Sequence, residues 1–291
     1  MPKKRVIAAI LVKDGWAVQS IGFARFLPVG RPEISARFFS AWGADEILLL
    51  DIRASEEGRT IDPELVSRVA GNVYVPLTVG GGIRSVEDVR CIVQAGADKV
   101  TINLGAHQVP EQVRTAAAAF GNQCIVGAMD VIRDESDRVL VYSKGGGTAT
   151  TRDVTEYAQM LADMYVGEIL VNSVDRDGMR TGFDIRAITA VAGGVRVPVI
   201  ALGGAGEPSH LYEVLRLDDV SAAAAGNYFH FTEHAISVAK AYLRHQGLDV
   251  RLDSWADYSL FGFSESDGRI TKRSEDQLND EIFEFIPEEI I

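Results

Sequence analysis

Asp130 closes an apolar run, Cys124-Ile-Val-Gly-Ala-Met-Asp130. A carboxylate in that setting is the best candidate in the chain for general acid/base work. The run that matches it in the first half, Arg5-Val-Ile-Ala-Ala-Ile-Leu11, ends in leucine. The two runs belong to a longer repeat. Glu46-Ile47-Leu48 returns as Glu168-Ile169-Leu170 and Gly81-Gly82 returns as Gly203-Gly204, an offset of about 122 residues. Leucine neither gives nor takes a proton, so one of the two acid/base positions that a duplicated enzyme would carry is apolar here.

Glycines accompany these runs at equal spacing. Thr78-Val-Gly80-Gly81-Gly82 and Thr101-Ile-Asn103 lie in the first half, Leu202-Gly203-Gly204-Ala205-Gly206 and Ala225-Gly226-Asn227 in the second. Glycine lets backbone N–H groups approach a phosphate closely. The repetition predicts two phosphate sites, one per half. The expected ligand-facing set is Asp51, Gly81, Gly82, Asn103, Asn172, Ser173, Asp177, Gly178, Gly203, Gly204, Gly226 and Asn227, with Asp175 nearby. Asp51 and Asp177 would orient a ligand, or would pair instead with Arg53, Arg176 or Arg180.

A second charged set is Arg5, Glu46, Lys99 and Glu168. Strand alternation puts Arg5, Ile7, Ala9 and Leu11 on one face, and Lys99, Thr101 and Asn103 on another. If both faces point into a barrel, two cations and two anions meet at its floor. Such a neutral ring is a structural plug or a gate for a small polar molecule, since buried charges persist only when paired. His230 and His234 have the i,i+4 spacing of a metal pair, but no third ligand is evident, and a solvated helix end is the expected reading. No metal and no cofactor are expected.

The elements that must position these residues alternate. Strands are expected at 5–12, 46–52, 74–79, 98–103, 123–130, 168–174, 198–203 and 220–226. Helices are expected near 32–43, 62–70, 85–95, 109–120, 151–165, 183–193, 208–216 and 232–246. Runs such as Ile47-Leu-Leu-Leu50 suit strands buried on both faces. Asp62-Pro63 and Ser85-Val-Glu-Asp88 mark helix starts. Eight βα units predict a (β/α)8 TIM barrel over residues 1–250, with a doubly wound open sheet as the competitor. The twofold half-barrel repeat favours closure. A C-terminal extension follows over 251–291. It carries Trp255, Tyr258, Phe261, Phe263, Phe283 and Phe285 among many acids, with turn signals at Asp267-Gly268 and Pro287. It is expected to pack on the barrel exterior or on a partner.

A net charge of −12 argues against nucleic acid. Cys91 and Cys124 lie in apolar runs and read as core thiols of a reducing, cytoplasmic compartment. The start, Met1-Pro-Lys-Lys-Arg5, reads as a first strand rather than a signal, and no run is long enough to span a membrane.

Val12-Lys-Asp-Gly15, Leu50-Asp-Ile52 with Ala54-Ser55, Thr78-Val-Gly-Gly-Gly82, Gly96-Ala-Asp-Lys99, Gly167-Glu-Ile-Leu170, Asp175-Arg-Asp-Gly178 and Phe229-His-Phe231 together resemble the cyclase subunit of imidazole glycerol phosphate synthase, over residues 4 to about 250. The resemblance implies a heterodimer with a glutaminase docked at the barrel floor. Ammonia would pass a gate of Arg5, Glu46, Lys99 and Glu168 and attack a ribulosyl intermediate held by its two phosphates. It further implies partner contacts at Asp98 and Gln123 and a catalytic role for Asp130. Departures gather at the other end. The family's second catalytic aspartate falls at Leu11, its loop lysine at Gln19, a threonine at Leu104 and a serine at Leu202.

Three functions follow. The first is a cyclase-like paralog that takes ammonia from a glutaminase and serves amidation of a sugar for surface polysaccharide, with a third, sugar-amidating enzyme as a further partner; the Leu11 replacement and the tail resemble that branch. The second is the cyclase of histidine biosynthesis itself. The third is a non-catalytic scaffold that channels ammonia. A single-chain ketol isomerase ranks below these, having no use for a charged floor.

Overall fold

The strand runs are largely apolar on both faces, and the fold buries both. In the computed structural model, which describes residues 3–103, 110–143, 148–272 and 274, eight parallel strands close into a barrel inside a ring of helices. In chain order the first half carries β1 (Arg5–Lys13), β2 (Trp16–Ile21), β3 (Arg25–Gly30), α1 (Pro32–Ala41), β4 (Glu46–Asp51), α2 (Pro63–Ala70), β5 (Leu77–Gly80), α3 (Val86–Gln94) and β6 (Lys99–Ile102). Then come α4 (Pro110–Phe120), a 3-10 turn (Asn122–Cys124), β7 (Ile125–Arg133), β8 (Val139–Ser143), β9 (Thr148–Asp153), α5 (Val154–Asp163) and β10 (Glu168–Ser173). The chain continues with α6 (Ile185–Gly194), β11 (Val199–Leu202), α7 (Pro208–Leu215), β12 (Val220–Ala225), α8 (Asn227–His230) and α9 (Ala235–His245). The barrel order is β1-β4-β5-β6-β7-β10-β11-β12, closed by β12 on β1.

Helix starts follow their caps. Asp62 accepts from Glu64 N at 3.0 Å, and Ser85 and Asp88 form a reciprocal capping box. Two expected boundaries move for physical reasons. The third barrel strand begins at Leu77 and not at residue 74, because Pro76 has no N–H to give a ladder. The helix expected from 151 begins at Val154; residues 148–153 form β9, and Asp153 caps the helix by accepting from Thr155 N and Glu156 N. Cys91 is exposed on α3, so only Cys124 is a core thiol. Leu104, Phe283, Phe285 and Pro287 lie outside the described residues.

The two halves share an excursion that the strand list lacks. After β1 the chain turns back as the β2–β3 hairpin, and after β7 as the β8–β9 hairpin. Asp14 and Gly15 take φ of 52° and 80° between the paired residues Lys13 and Trp16. Asp-Gly with both φ positive is the strongest short hairpin signal, and it stands in Val12-Lys-Asp-Gly15.

Two apolar layers result. One fills the space between strands and helices. The other lies inside the barrel, where Ile7, Leu48, Val126, Leu170 and Ile200 meet the small residues Ala9, Ala128, Ala222 and Ala224. The extension wraps α9 on the outside. Ser254 shares a 2.9 Å hydrogen bond with Ser237, Trp255 meets His234 edge-on, and Phe263 and Gly268 pack on Tyr242.

Under that wrapping, Lys240 Nζ donates to Asp45 Oδ1 at 2.9 Å and to Gly43 O at 2.7 Å, while Asp45 Oδ2 accepts from Val6 N at 2.7 Å. The pair ties α9 to the start of the barrel, and burial pushes the Lys240 ammonium down from its ordinary value. Replacing Lys240 with methionine leaves Asp45 buried beside one N–H. Urea unfolding should show a loss of about 3–5 kcal/mol; a loss below about 1 kcal/mol would mean that the extension and α9 hold without the pair.

Candidate active site

The C-terminal ends of the strands surround a cavity of ≈ 250 Å³. It reaches down the barrel to Thr101, Leu170 and Ala224. Asp130 stands at its polar side. Asn103 Nδ2 donates to Asp130 Oδ2 at 2.8 Å, and Asn172 Nδ2 donates to Asp130 Oδ1 at 2.8 Å. Two amides from neighbouring strands thus hold both oxygens and fix the carboxylate's plane. The sheet register supports the match of halves: Asp130 pairs with Asn172 on β10 as Leu11 pairs with Leu50 on β4. A polar pair in one half is therefore an apolar pair in the other.

The glycine turns also match. A Cβ at Gly82 would overlap the carbonyl oxygen of Arg59, and one at Gly204 that of Gly182. Their φ values are 67° and 101°. Each half needs glycine there for the same close approach of two loops. Gly81, Gly203 and Gly226 line the cavity beside them. Arg84, absent from the expected set, lines the cavity next to the first cradle and donates to Ser55 O at 3.0 Å. Among the described residues the other charged side chains lining the cavity are Asp51, Glu56, Asp130 and Asp177.

Several expected ligand residues are engaged by the protein itself. Asp51 pairs with Arg59 at 2.6 Å and accepts from the backbone N–H groups of Arg53 and Ala54, so its guanidinium partner is Arg59 and not Arg53. Asp177 accepts from the Ser20 hydroxyl and from Phe23 N. Asn227 grips the Ser20 backbone on both sides, at 3.2 and 2.6 Å. Gly178 lies under the Ser20 carbonyl, where a side chain would clash. These three residues pin the β2–β3 hairpin over the mouth, with Phe23 and Phe26 in the cavity wall. Asp175 accepts from Arg133 N at 2.7 Å and so braces the other hairpin. Ser173 is buried and does not line the cavity; strand alternation turns it towards the helices, and its hydroxyl has no hydrogen-bond partner.

At the opposite end the four charges form one ring. Glu46 Oε2 accepts from Arg5 Nη1 at 2.8 Å and from Lys99 Nζ at 2.9 Å. Glu168 accepts from Lys99 at 2.7 Å and also from Arg5. Thr78 Oγ1 donates to the remaining oxygen of Glu46 at 2.6 Å. Ile7, Leu48, Val126 and Ile200 fill the barrel between this ring and the cavity. Asp98 and Gln123 are exposed at the same end.

No group of three or more potential metal ligands occurs among the described residues. His230 ends α8 and His234 precedes α9 in a left-handed conformation, so the two do not share one helix face. Neither is a solvated helix end. His234 bonds Tyr258 at 2.7 Å, and burial pushes His230 down to about 4.

Residues 5–235 match the sequence pattern of the histidine biosynthesis protein family, from the first strand of the barrel to the start of α9. The chain belongs to that family. Histidine biosynthesis proteins of this kind are TIM barrels and typically enzymes, isomerases or cyclases. No helix among the described residues is long and apolar enough to cross a membrane.

The hairpin contact has a pH signature. Burial raises Asp177 above its ordinary value of 3.8, opposed by the Ser20 and Phe23 donors. Above that value and below the folded one, the folded state holds the extra proton, so this group's contribution to stability falls as pH rises. Asp177→Asn removes the effect. The variant's unfolding midpoint minus the parent's should grow as pH rises from about 4 through the raised folded value. A difference that stays level would show that Asp177 is not strained by burial.

Proposed function

We propose that this protein is the synthase subunit of a glutamine amidotransferase pair. It receives ammonia from a glutaminase docked on the barrel floor, around Asp98 and Gln123, and delivers it to a phosphorylated ligand at the mouth. The observation that carries this reading is the neutral ring of Arg5, Glu46, Lys99 and Glu168, set across the barrel below an apolar layer of Ile7, Leu48, Val126 and Ile200. A ring of four charges is costly to desolvate, and packed apolar side chains would plug the floor as well. A charged ring has a use where a small polar molecule must pass and bulk water must not.

The mouth then decides the reaction. Closing an imidazole ring on a ribulosyl intermediate moves protons at more than one atom, and the resembled family uses two aspartates for this. Here only Asp130 stands at such a position, and Leu11 occupies the other. Asp130 serves one proton transfer, taking a proton from the ammonia nitrogen as that nitrogen bonds to carbon. The favoured acceptor is a nucleotide-linked acetamido sugar, acted on together with a sugar-amidating enzyme in surface-polysaccharide synthesis. Asp130, held by Asn103 and Asn172, also suits the histidine-pathway cyclase, which is the second reading.

Turnover of the ribulosyl substrate with excess ammonium salt separates the two, because ammonium bypasses the glutaminase. The parent chain should be at least about 100-fold slower than Leu11→Asp, the usual range for one general acid/base being about 10²–10⁴. Parent turnover that Leu11→Asp changes only a few-fold would make the chain a histidine-pathway cyclase.

A further inference from the structure

The rim of the barrel is divided into two arcs. On β6, β7 and β10 the rim side chains are Asn103, Asp130 and Asn172, joined by hydrogen bonds. On β11, β1 and β4 they are Leu202, Leu11 and Leu50, and β12 adds Ala224 and Ala225; the polar groups at the ends of this arc, Asp51 and Asn227, are engaged by Arg59 and by the Ser20 backbone. The hairpin, which pairs with β1 beside Leu11, adds Phe23 and Phe26 to the cavity wall. The geometry of the barrel does not force this. Leu11 and Leu50 occupy the register positions of Asp130 and Asn172, where a polar pair is accommodated in the same molecule. The arc is also covered, since Asp177 and Asn227 hold the hairpin down. A covered apolar wall facing fixed polar groups is the usual form of a ligand pocket.

We propose that the Leu11–Leu50–Leu202 arc is a subsite for an alkyl or acyl group of the ligand. The group lies opposite Asp130, while the phosphoryl end of the same ligand sits at Gly81-Gly82 beside Arg84. This rests on the reading above that the mouth takes a phosphorylated ligand, and it adds the chemical class. The ligand has one face that meets amides and a carboxylate and one that meets hydrocarbon. A ligand with hydroxyl groups on both faces is disfavoured, because hydroxyls pressed on leucine lose water and gain no partner. Leu11 is the specificity-determining residue of the arc.

Calorimetric titration of the full chain with methyl phosphate and n-butyl phosphate tests this. Each methylene taken from water adds about fourfold in affinity, so three fully buried methylenes give about sixtyfold and partial burial at least about tenfold tighter binding of the longer probe. Leu11→Asp and Leu202→Ser should each bring the ratio of the two affinities towards one. Circular dichroism checks that the variants are folded, and Leu202→Ser carries the test if Leu11→Asp is not. Equal affinities in the parent chain overturn the subsite and leave the phosphate reading standing. If neither probe binds, the phosphate reading fails and the subsite falls with it. A parent-like ratio in the folded variants places the preference elsewhere and overturns the assignment to this arc.

Discussion

The carboxylate of Glu46 is almost wholly enclosed by the barrel, and much of the floor is arranged to satisfy it. A buried carboxylate without cations and donors would cost several kcal/mol. Glu46 has three partners, and they arrive from three other strands: Arg5 from β1, Thr78 from β5 and Lys99 from β6. The two cations then need a second anion, which β10 supplies as Glu168. The ring thus fixes the relative height of four barrel strands, because a slip of one residue would turn a charge towards the helices. It also fixes what stands above it. Once every charge is matched at the floor, the next side chains, Ile7, Leu48, Val126 and Ile200, bring no further demand for polar partners.

From that floor the two halves rise in parallel and separate only at the rim. The same loop approach requires Gly82 and Gly204, and the same place after the first strand of each half opens a hairpin. Even the N–H groups of Arg84 and Gly206 are each met by the side chain four residues on, Asp88 in one half and His210 in the other. The scaffold therefore keeps its symmetry wherever backbone geometry is at stake. Side chains that line the cavity differ between the halves: Asp130 against Leu11, Asn172 against Leu50, Arg84 against Gly206. Selection on backbone approach and selection on ligand chemistry act on different atoms, and the rim is where they part.

The same division explains what could be read in the sequence. Barrel strands and helices were legible because their signals are local: continuous apolar runs, Asp62-Pro63, the Ser85–Asp88 box. The glycine pairs and the four floor charges were legible from the repeat, since alternation and register together fix which way they point. The hairpins were not read, although Asp14-Gly15 announces one, because a turn after an apolar run also looks like the end of a strand. Ser173 and Asp177 show a harder limit. Ser173 lies one residue beyond Asn172, and the alternation that sends Asn172 into the mouth sends Ser173 away from it. Asp177 does line the mouth, but its donors come from Ser20 and Phe23, more than 150 residues earlier, and no local pattern records them.

That engagement changes what the mouth has to offer. A hairpin held by Asp177, Gly178 and Asn227 uses the polar groups of the sixth and eighth strand ends for its own seat. It adds Phe23 and Phe26 to the cavity wall beside them. The seat of the hairpin and the apolar character of the second arc thus go together. Asp51, Asp177 and Asn227 also face the cavity but are held by Arg59 and Ser20, while Asn103, Asp130 and Asn172 form a separate polar group on the side of β6 to β10. The asymmetry visible at Leu11 is completed by the segment that follows it in sequence, whose Val18 pairs with Leu11, and a ligand would meet both through the same strand.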